Sequence, residues 1–205
     1  MKGRTLYFAY GSNLDTRAMA ARCPTAERWR TALLRDWQLT FRGVADIEQA
    51  SGQDVWGGLW WCTDEDMKSL DRYEGAPHLY DRREVEVETA VGTMKAITYV
   101  MVKQDGITPP SSSYLATIRR GYSDFVLPHK VLTFAVKDVY RELRAIGITE
   151  FVSDGPKRLK PAPQYDGFEW GDVADDDFYD TSEDDFFHGM SIATRKLFEL
   201  EAVEG

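Results

Sequence analysis

The sequence predicts an α+β domain followed by an acidic C-terminal extension. Three observations carry that reading. Residues 6–9 form an apolar run that breaks at Gly11-Ser12-Asn13 and leads into helix-compatible sequence, which is the pattern of a core strand, a tight turn and a helix. Further along, strict alternation (Val85 and Val87 between Glu84, Glu86 and Glu88) gives way at residues 129–147 to apolar residues at helical spacing, so both periods occur in one chain. Charge then divides the chain. Residues 1–149 carry 20 basic and 19 acidic side chains, whereas residues 150–205 carry 5 and 15, a net of −10. The boundary is placed between 149 and 150, with a near-neutral globular domain before it and an acidic, weakly ordered or docking extension after it.

The elements follow in order. After the first strand, residues 15–23 read as a short helix ended by Pro24, with Ser12, Asn13 and Asp15 available as N-caps. Residues 27–34 and 37–41 read as two strands joined near Arg35-Asp36. Residues 45–54 are polar and contain Ser51-Gly52, and read as a surface loop. Residues 55–62 are strand-like, with Gly57-Gly58 pointing to a bulge or to a close approach by another group. Thr63 and Asp66 form a capping-box start for a helix carrying Met67, Leu70 and Tyr73, and Gly75 with Pro77 ends it. Residues 80–89 are an amphipathic strand and residues 95–102 a more apolar, central one. A Pro/Ser loop at 109–113 enters a helix over 113–124, Pro128 interrupts, and the helix over 129–147 closes at Gly147. Beyond Ile148 the periodicity fades. Residues 157–163 are basic and proline-containing, residues 172–185 are acidic with interleaved Phe178 and Tyr179, and residues 191–202 read as a short closing helix.

Composition narrows the function. A formal net charge of −9 argues against a nucleic-acid partner. Met1-Lys2-Gly3-Arg4 precedes too short an apolar run for a signal peptide, and no stretch approaches a membrane span. Cys23 and Cys62 offer neither a disulfide framework nor a zinc spacing and read as buried reduced thiols of a cytoplasmic protein. His78, His129 and His188 are scattered, so no metal site is expected, and the absence of Gly-x-Ser-x-Gly argues against a serine hydrolase.

Two places remain for chemistry. The turn at residues 10–14 presents backbone N–H groups in one direction, suited to a carboxylate or to a carbonyl oxygen gaining charge; Gly11 is expected to adopt a backbone conformation that a Cβ resists. Glu74 lies at a helix C-terminus, where the dipole disfavours ionisation, and burial would raise its pKa further. Such a carboxyl can take and return a proton near neutrality. An exposed helix-end glutamate and core tyrosines are the alternative reading of the same residues.

Tyr10-Gly11-Ser12-Asn13-Leu14 after an apolar strand, paired with Leu70-Asp71-x-Tyr73-Glu74-Gly75, resembles the γ-glutamylcyclotransferase family. The likeness extends through Val55-Trp56-Gly57-Gly58, Ile97-Thr98-Tyr99-Val100 and Pro110-Ser111-x-x-Tyr114, over about residues 5–145. The resemblance implies a small mixed β-barrel with surrounding helices and a cofactor-independent reaction. In that reaction the α-amine of a small γ-glutamyl substrate attacks its own γ-carbonyl, releasing 5-oxoproline and a free amine. It assigns Glu74 as general acid/base, Tyr10, Gly11, Ser12, Asn13 and Leu14 to the glutamyl head, and Tyr80 and Tyr114 to hydroxyl contacts in the pocket, with Tyr99 a further candidate. Residues 150–205 match nothing in the family. Their charge suits a basic protein partner, and the sequence leaves a homodimer open. The competing function is a module that binds a metabolite or a protein without turnover.

Overall fold

The computed structural model describes residues 3–148. Five strands, β1 (Arg4–Ala9), β2 (Glu27–Phe41), β3 (Ala45–Thr63), β4 (Tyr80–Thr89) and β5 (Gly92–Met101), close into a barrel in the order β1-β3-β2-β4-β5. Most neighbours are antiparallel; β5 closes onto β1 in parallel at Tyr7–Ile97. Four helices surround it: α1 (Thr16–Arg22), α2 (Asp64–Glu74), α3 (Ser112–Asp124) and α4 (His129–Ala145). The small mixed barrel with surrounding helices is therefore the fold. The acidic run and the expected closing helix lie outside the described residues.

The barrel has one continuous core. Phe8, Leu33, Phe41, Ile47 and Leu59 are wholly buried. Gly57 and Gly58 pair with Ala32 and Thr31 at the edge of a register shift between Arg28 and Thr31, and they also mark a close approach. A Cβ at Gly57 would lie 2.4 Å from both Ala9 O and the Phe8 ring, and one at Gly58 would lie 2.4 Å from the Phe125 ring. Only a bare Cα admits those neighbours.

Three expectations are corrected. The stretch 27–41 is one strand bent at Asp36, where φ is +60° and the register shifts between Arg35 and Trp37. Asp36 tolerates that conformation as short polar residues do, and its carboxylate accepts from Gly52 N at 2.9 Å. Residues 45–54 are not a loop but the first half of β3, pairing with residues 35–41 in a hairpin. Asp46 disguised this half. It is fully buried and satisfied by Arg42 at 2.9 Å, Gln104 at 3.0 Å and Met101 N at 2.9 Å. A buried carboxylate so paired satisfies the rule for buried charge while breaking the apolar pattern. Finally, β5 has no central place, because a closed barrel has no centre and β5 forms its seam with β1.

The helix ends follow the local chemistry. Thr63 accepts from Asp66 N while Asp66 accepts from Thr63 N at 2.9 Å, the reciprocal capping box. Gly75 ends α2 with φ +65°. Met67 and Leu70 are buried, whereas Tyr73, a further 300° around the helix from Leu70, is 46% exposed. Among the described residues no helix is long and apolar enough to cross a membrane.

Candidate active site

At the end of β1 the chain turns through a single 3₁₀ turn, Ser12–Leu14, before α1 begins. Leu14 N donates to Gly11 O at 3.0 Å and Asp15 N to Ser12 O at 3.3 Å, so the amides that precede Leu14 are those a helical turn leaves without an internal acceptor. Asp15 caps α1 through Arg17 N and Ala18 N. The turn is pinned from outside by α3. Arg120 pairs with Asp15 at 2.8 Å, and Asp124 accepts from Thr16 N and Oγ1.

A cleft with about 290 Å³ of empty space, part of it open solvent, lies between this turn, the end of α2 and the starts of β3, β4 and α3. Tyr10, Gly11, Ser12, Asn13, Glu74, Tyr80 and Tyr114 all line it. Leu14, the remaining expected residue, does not: its side chain is wholly buried and its N–H is used within the turn. Gly11 takes φ −114° and ψ −138°, outside the left-handed, helical and extended regions, and it has a second use. What it supplies is space, since a Cβ would lie 3.1 Å from Ala45 Cβ and 3.3 Å from the Tyr114 hydroxyl.

Glu74 is the last residue of α2. Its Oε1 accepts from Asn13 Nδ2 at 2.8 Å. Burial is the largest influence on it and raises its pKa from 4.5 to about 7; the Asn13 hydrogen bond and the nearby Arg22 cation act in the opposite direction. The desolvation expected from sequence is present. Asn13 Nδ2 also donates to Tyr7 OH at 2.9 Å, and Asn13 Oδ1 accepts from Arg22 at 2.6 Å.

The tyrosines are organised around main chain. Tyr80 OH donates to Ala45 O at 2.7 Å, and Ala45 N donates to Tyr114 OH at 3.1 Å, so two phenols hold the two sides of one residue. Tyr10 OH donates to Tyr99 O at 2.6 Å. Burial pushes the phenols of Tyr7, Tyr10 and Tyr80 well up and that of Tyr114 up to about 12, so all are neutral hydroxyls near pH 7. Tyr114 accepts from Ala45, which leaves its own proton to give; Tyr10 and Tyr80 give theirs to carbonyls, which leaves lone pairs. Donors and acceptors are thus sorted around one carboxyl that titrates near neutrality.

Sequence reasoning left three contributors unassigned. Tyr7 and Ala45 line the cavity, and Arg22 stands behind Asn13. Tyr7 follows from strand alternation once Ala9 is placed in the core beside it. Ala45 carries no signal, because it acts through its peptide groups. Tyr99 lines the cavity, and its hydroxyl donates to Asp71 Oδ1 at 2.8 Å. Among the described residues no cluster of His, Cys, Asp and Glu is placed to hold a metal ion.

Comparison with known proteins gives consistent matches. The family described as "Gamma-glutamyl cyclotransferase, AIG2-like" matches residues 7–116, which include every cavity-lining residue. The Gamma-glutamylcyclotransferase of Bos taurus is 36% identical over 139 residues, 60% of this chain and 72% of the bovine protein. That of Homo sapiens is 37% identical over 139 residues, with the same coverage. A solved structure titled "Gamma-glutamyl cyclotransferase" superposes with a TM-score of 0.59 at 30% identity, covering 75% of this chain and 94% of that one.

Proposed function

The chain belongs to the AIG2-like γ-glutamyl cyclotransferase family, and from that premise we propose that it is an enzyme that converts a small γ-glutamyl compound into 5-oxoproline and a free amine. The observation that carries this reading is Glu74, a carboxyl with a pKa of about 7 in a cavity of neutral hydroxyls. An intramolecular cyclisation needs one group that removes a proton from one nitrogen and returns it to another, and a carboxyl balanced near pH 7 does both.

The geometry supports the following steps. The substrate's α-ammonium sits among the acceptors, the lone pairs of Tyr10 and Tyr80 and the Glu74 carboxylate. Glu74 takes a proton, and the freed amine nitrogen attacks the γ-carbonyl carbon. The carbonyl electron pair moves to oxygen, where the amides of residues 11–13 and the Tyr114 hydroxyl can donate; one such donor is typically worth roughly 10²–10³-fold. The oxygen's electron pair re-forms the carbonyl, the bond from the γ-carbon to the leaving nitrogen breaks, and Glu74 gives its proton to that nitrogen; the second proton, still on the new ring nitrogen, passes through Glu74 to the released amine, which departs as an ammonium. No water, metal or cofactor enters the balance.

Residues 150–205 are assigned to an appendage outside this chemistry, with a basic protein as the partner their charge suits. A module that binds without turnover is the competing reading, and it gives no reason to desolvate a carboxyl beside the turn. Incubating the protein with a panel of γ-glutamyl amino acids and γ-glutamylamines, and detecting 5-oxoproline by mass, decides between them. Release of 5-oxoproline with multiple turnovers supports the enzyme; tight binding without it supports the module.

A further inference from the structure

Arg22 ends α1 and does not line the cavity. Its guanidinium nevertheless makes three contacts at the site's edge: one nitrogen donates to Asn13 Oδ1 at 2.6 Å, another donates to Tyr73 OH at 2.8 Å, and the plane stacks on the Tyr73 ring with its carbon 3.6 Å from the centroid. Guanidinium has donors and no acceptor. The Asn13 atom that faces it must therefore be the carboxamide oxygen, and the amide nitrogen must face the other way. Facing the other way are Tyr7 OH at 2.9 Å and Glu74 Oε1 at 2.8 Å. Asn13 is buried, so a reversed carboxamide would find no solvent and would set its oxygen against a carboxylate.

We infer that Arg22 is a positioning residue of this site: it fixes the orientation of the Asn13 carboxamide, and through it the placement and proton affinity of Glu74. The inference rests on the cyclotransferase reading for its kinetic consequences and on geometry alone for the rest. Tyr73 holds the guanidinium in place from α2, the same helix that carries Glu74, so one cation ties the ends of α1 and α2 to the turn between β1 and α1. The other groups around Glu74 are the hydroxyls of Tyr7 on β1, Tyr10 after it, Tyr80 on β4 and Tyr114 on α3, all neutral near pH 7. Arg22 is the cation that acts on Glu74. Its loss removes a favourable charge and frees the carboxamide to turn, and both changes raise the carboxyl's proton affinity.

The test compares Arg22→Met and Arg22→Lys with the parent full-length chain, using the γ-glutamyl compound that the parent turns over. Arg22→Met is expected to lower kcat by about ten- to hundredfold with KM within about threefold, because the reacting groups are misplaced rather than the substrate lost. The acidic limb of kcat/KM is expected to move upward by about half a pH unit or more. Arg22→Lys, which can hold Oδ1 but cannot also stack and reach Tyr73, should recover part of both effects. In an Asn13→Ala background the same Arg22→Met change should have a clearly smaller effect, limited to the lost charge, since the orienting part of the coupling runs through that side chain. An unmoved acidic limb in Arg22→Met, or an undiminished effect when Asn13 is already absent, overturns the inference. Should Arg22→Met fail to fold, Arg22→Lys carries the test with a smaller shift in the same direction. If the parent releases no 5-oxoproline, the functional proposal fails on its own. The Glu74 titration, followed by carboxyl carbon NMR in the parent and in Arg22→Lys, then decides the inference: an unchanged midpoint overturns it.

Discussion

On the α3 and β4 side of the pocket, hydroxyls grip main chain: Tyr80 and Tyr114 hold the carbonyl and amide of Ala45, and Tyr10 holds the Tyr99 carbonyl. On the α2 side, side chains grip side chains: Arg22 holds Asn13, and Asn13 holds Glu74. The first arrangement has neutral members with pKa values far from 7, so its shape is the same across the physiological pH range. The second contains a cation and a carboxyl that titrates at about 7. One wall of the pocket sets dimensions, and the other sets a proton balance. Damage to the first should move geometry, and damage to the second should move pH dependence.

The sharpest way to break this comparison is at Glu74. Glu74→Gln should lower kcat by about 10²–10⁴-fold while substrate binding changes little, measured as 5-oxoproline release against calorimetric binding. Activity within tenfold of the parent removes Glu74 from the acid/base role. Stability supplies a second readout with a definite sign. The folded-state pKa is raised above that of the unfolded chain, so the unfolded state ionises first as pH rises. Stability therefore falls between about pH 4.5 and pH 7, by on the order of 3 kcal/mol, and stays lowered above that. Glu74→Gln should abolish this slope and be the more stable protein at pH 8 in denaturant titrations.

Gly11→Val comes next, because it strikes the main-chain wall and fills the cavity beside it. Its Cβ would press on Ala45 and the Tyr114 hydroxyl, and its branches would occupy the cavity. Loss of turnover together with a lowered Tm is expected, and a variant that folds and turns over normally removes the turn from the site. Tyr80→Phe and Tyr114→Phe should each cost about 1–3 kcal/mol, because each leaves a peptide group of the buried Ala45 without its partner. Their pH–rate profiles should keep the parent midpoint. A displaced midpoint would mean that the two walls are not separable. The smallest effect is expected from ending the chain at Gly147. Every barrel strand and every cavity-lining residue precedes that point, so the shortened protein should fold and keep its kcat. An insoluble product would assign residues 150–205 to the core.

Much of this architecture was legible because each signal was local. The capping box at Thr63 and Asp66, the stop at Gly75 and the alternation of residues 80–89 each depend on neighbours in sequence. So does the turn after β1, and the cavity gathers seven of the eight residues singled out there, at Glu74 and among the tyrosines. The failures share one cause, which is satisfaction at a distance. Asp46 reads as loop because its partner Gln104 lies 58 positions away. Arg22 went unnoticed since its role exists only once Asn13 and Tyr73 meet, 60 residues apart. Long-range pairing of this kind leaves no periodic trace.

Gly121 extends the same point to α3. A Cβ there would lie 2.3 Å from Leu14 Cβ and 2.7 Å from Asp15 N, so the helix seats directly on the turn at this residue. Tyr114 stands seven residues back along the same helix, about 10 Å away. The seat therefore acts as the fulcrum of a lever whose far end carries a pocket hydroxyl. A methyl group added at Gly121 would tilt that arm, and the displacement would reach Tyr114 and Ala45 without any altered residue in the cavity. A Gly121→Ala variant should therefore alter the pocket through Tyr114, although residue 121 does not line the cavity.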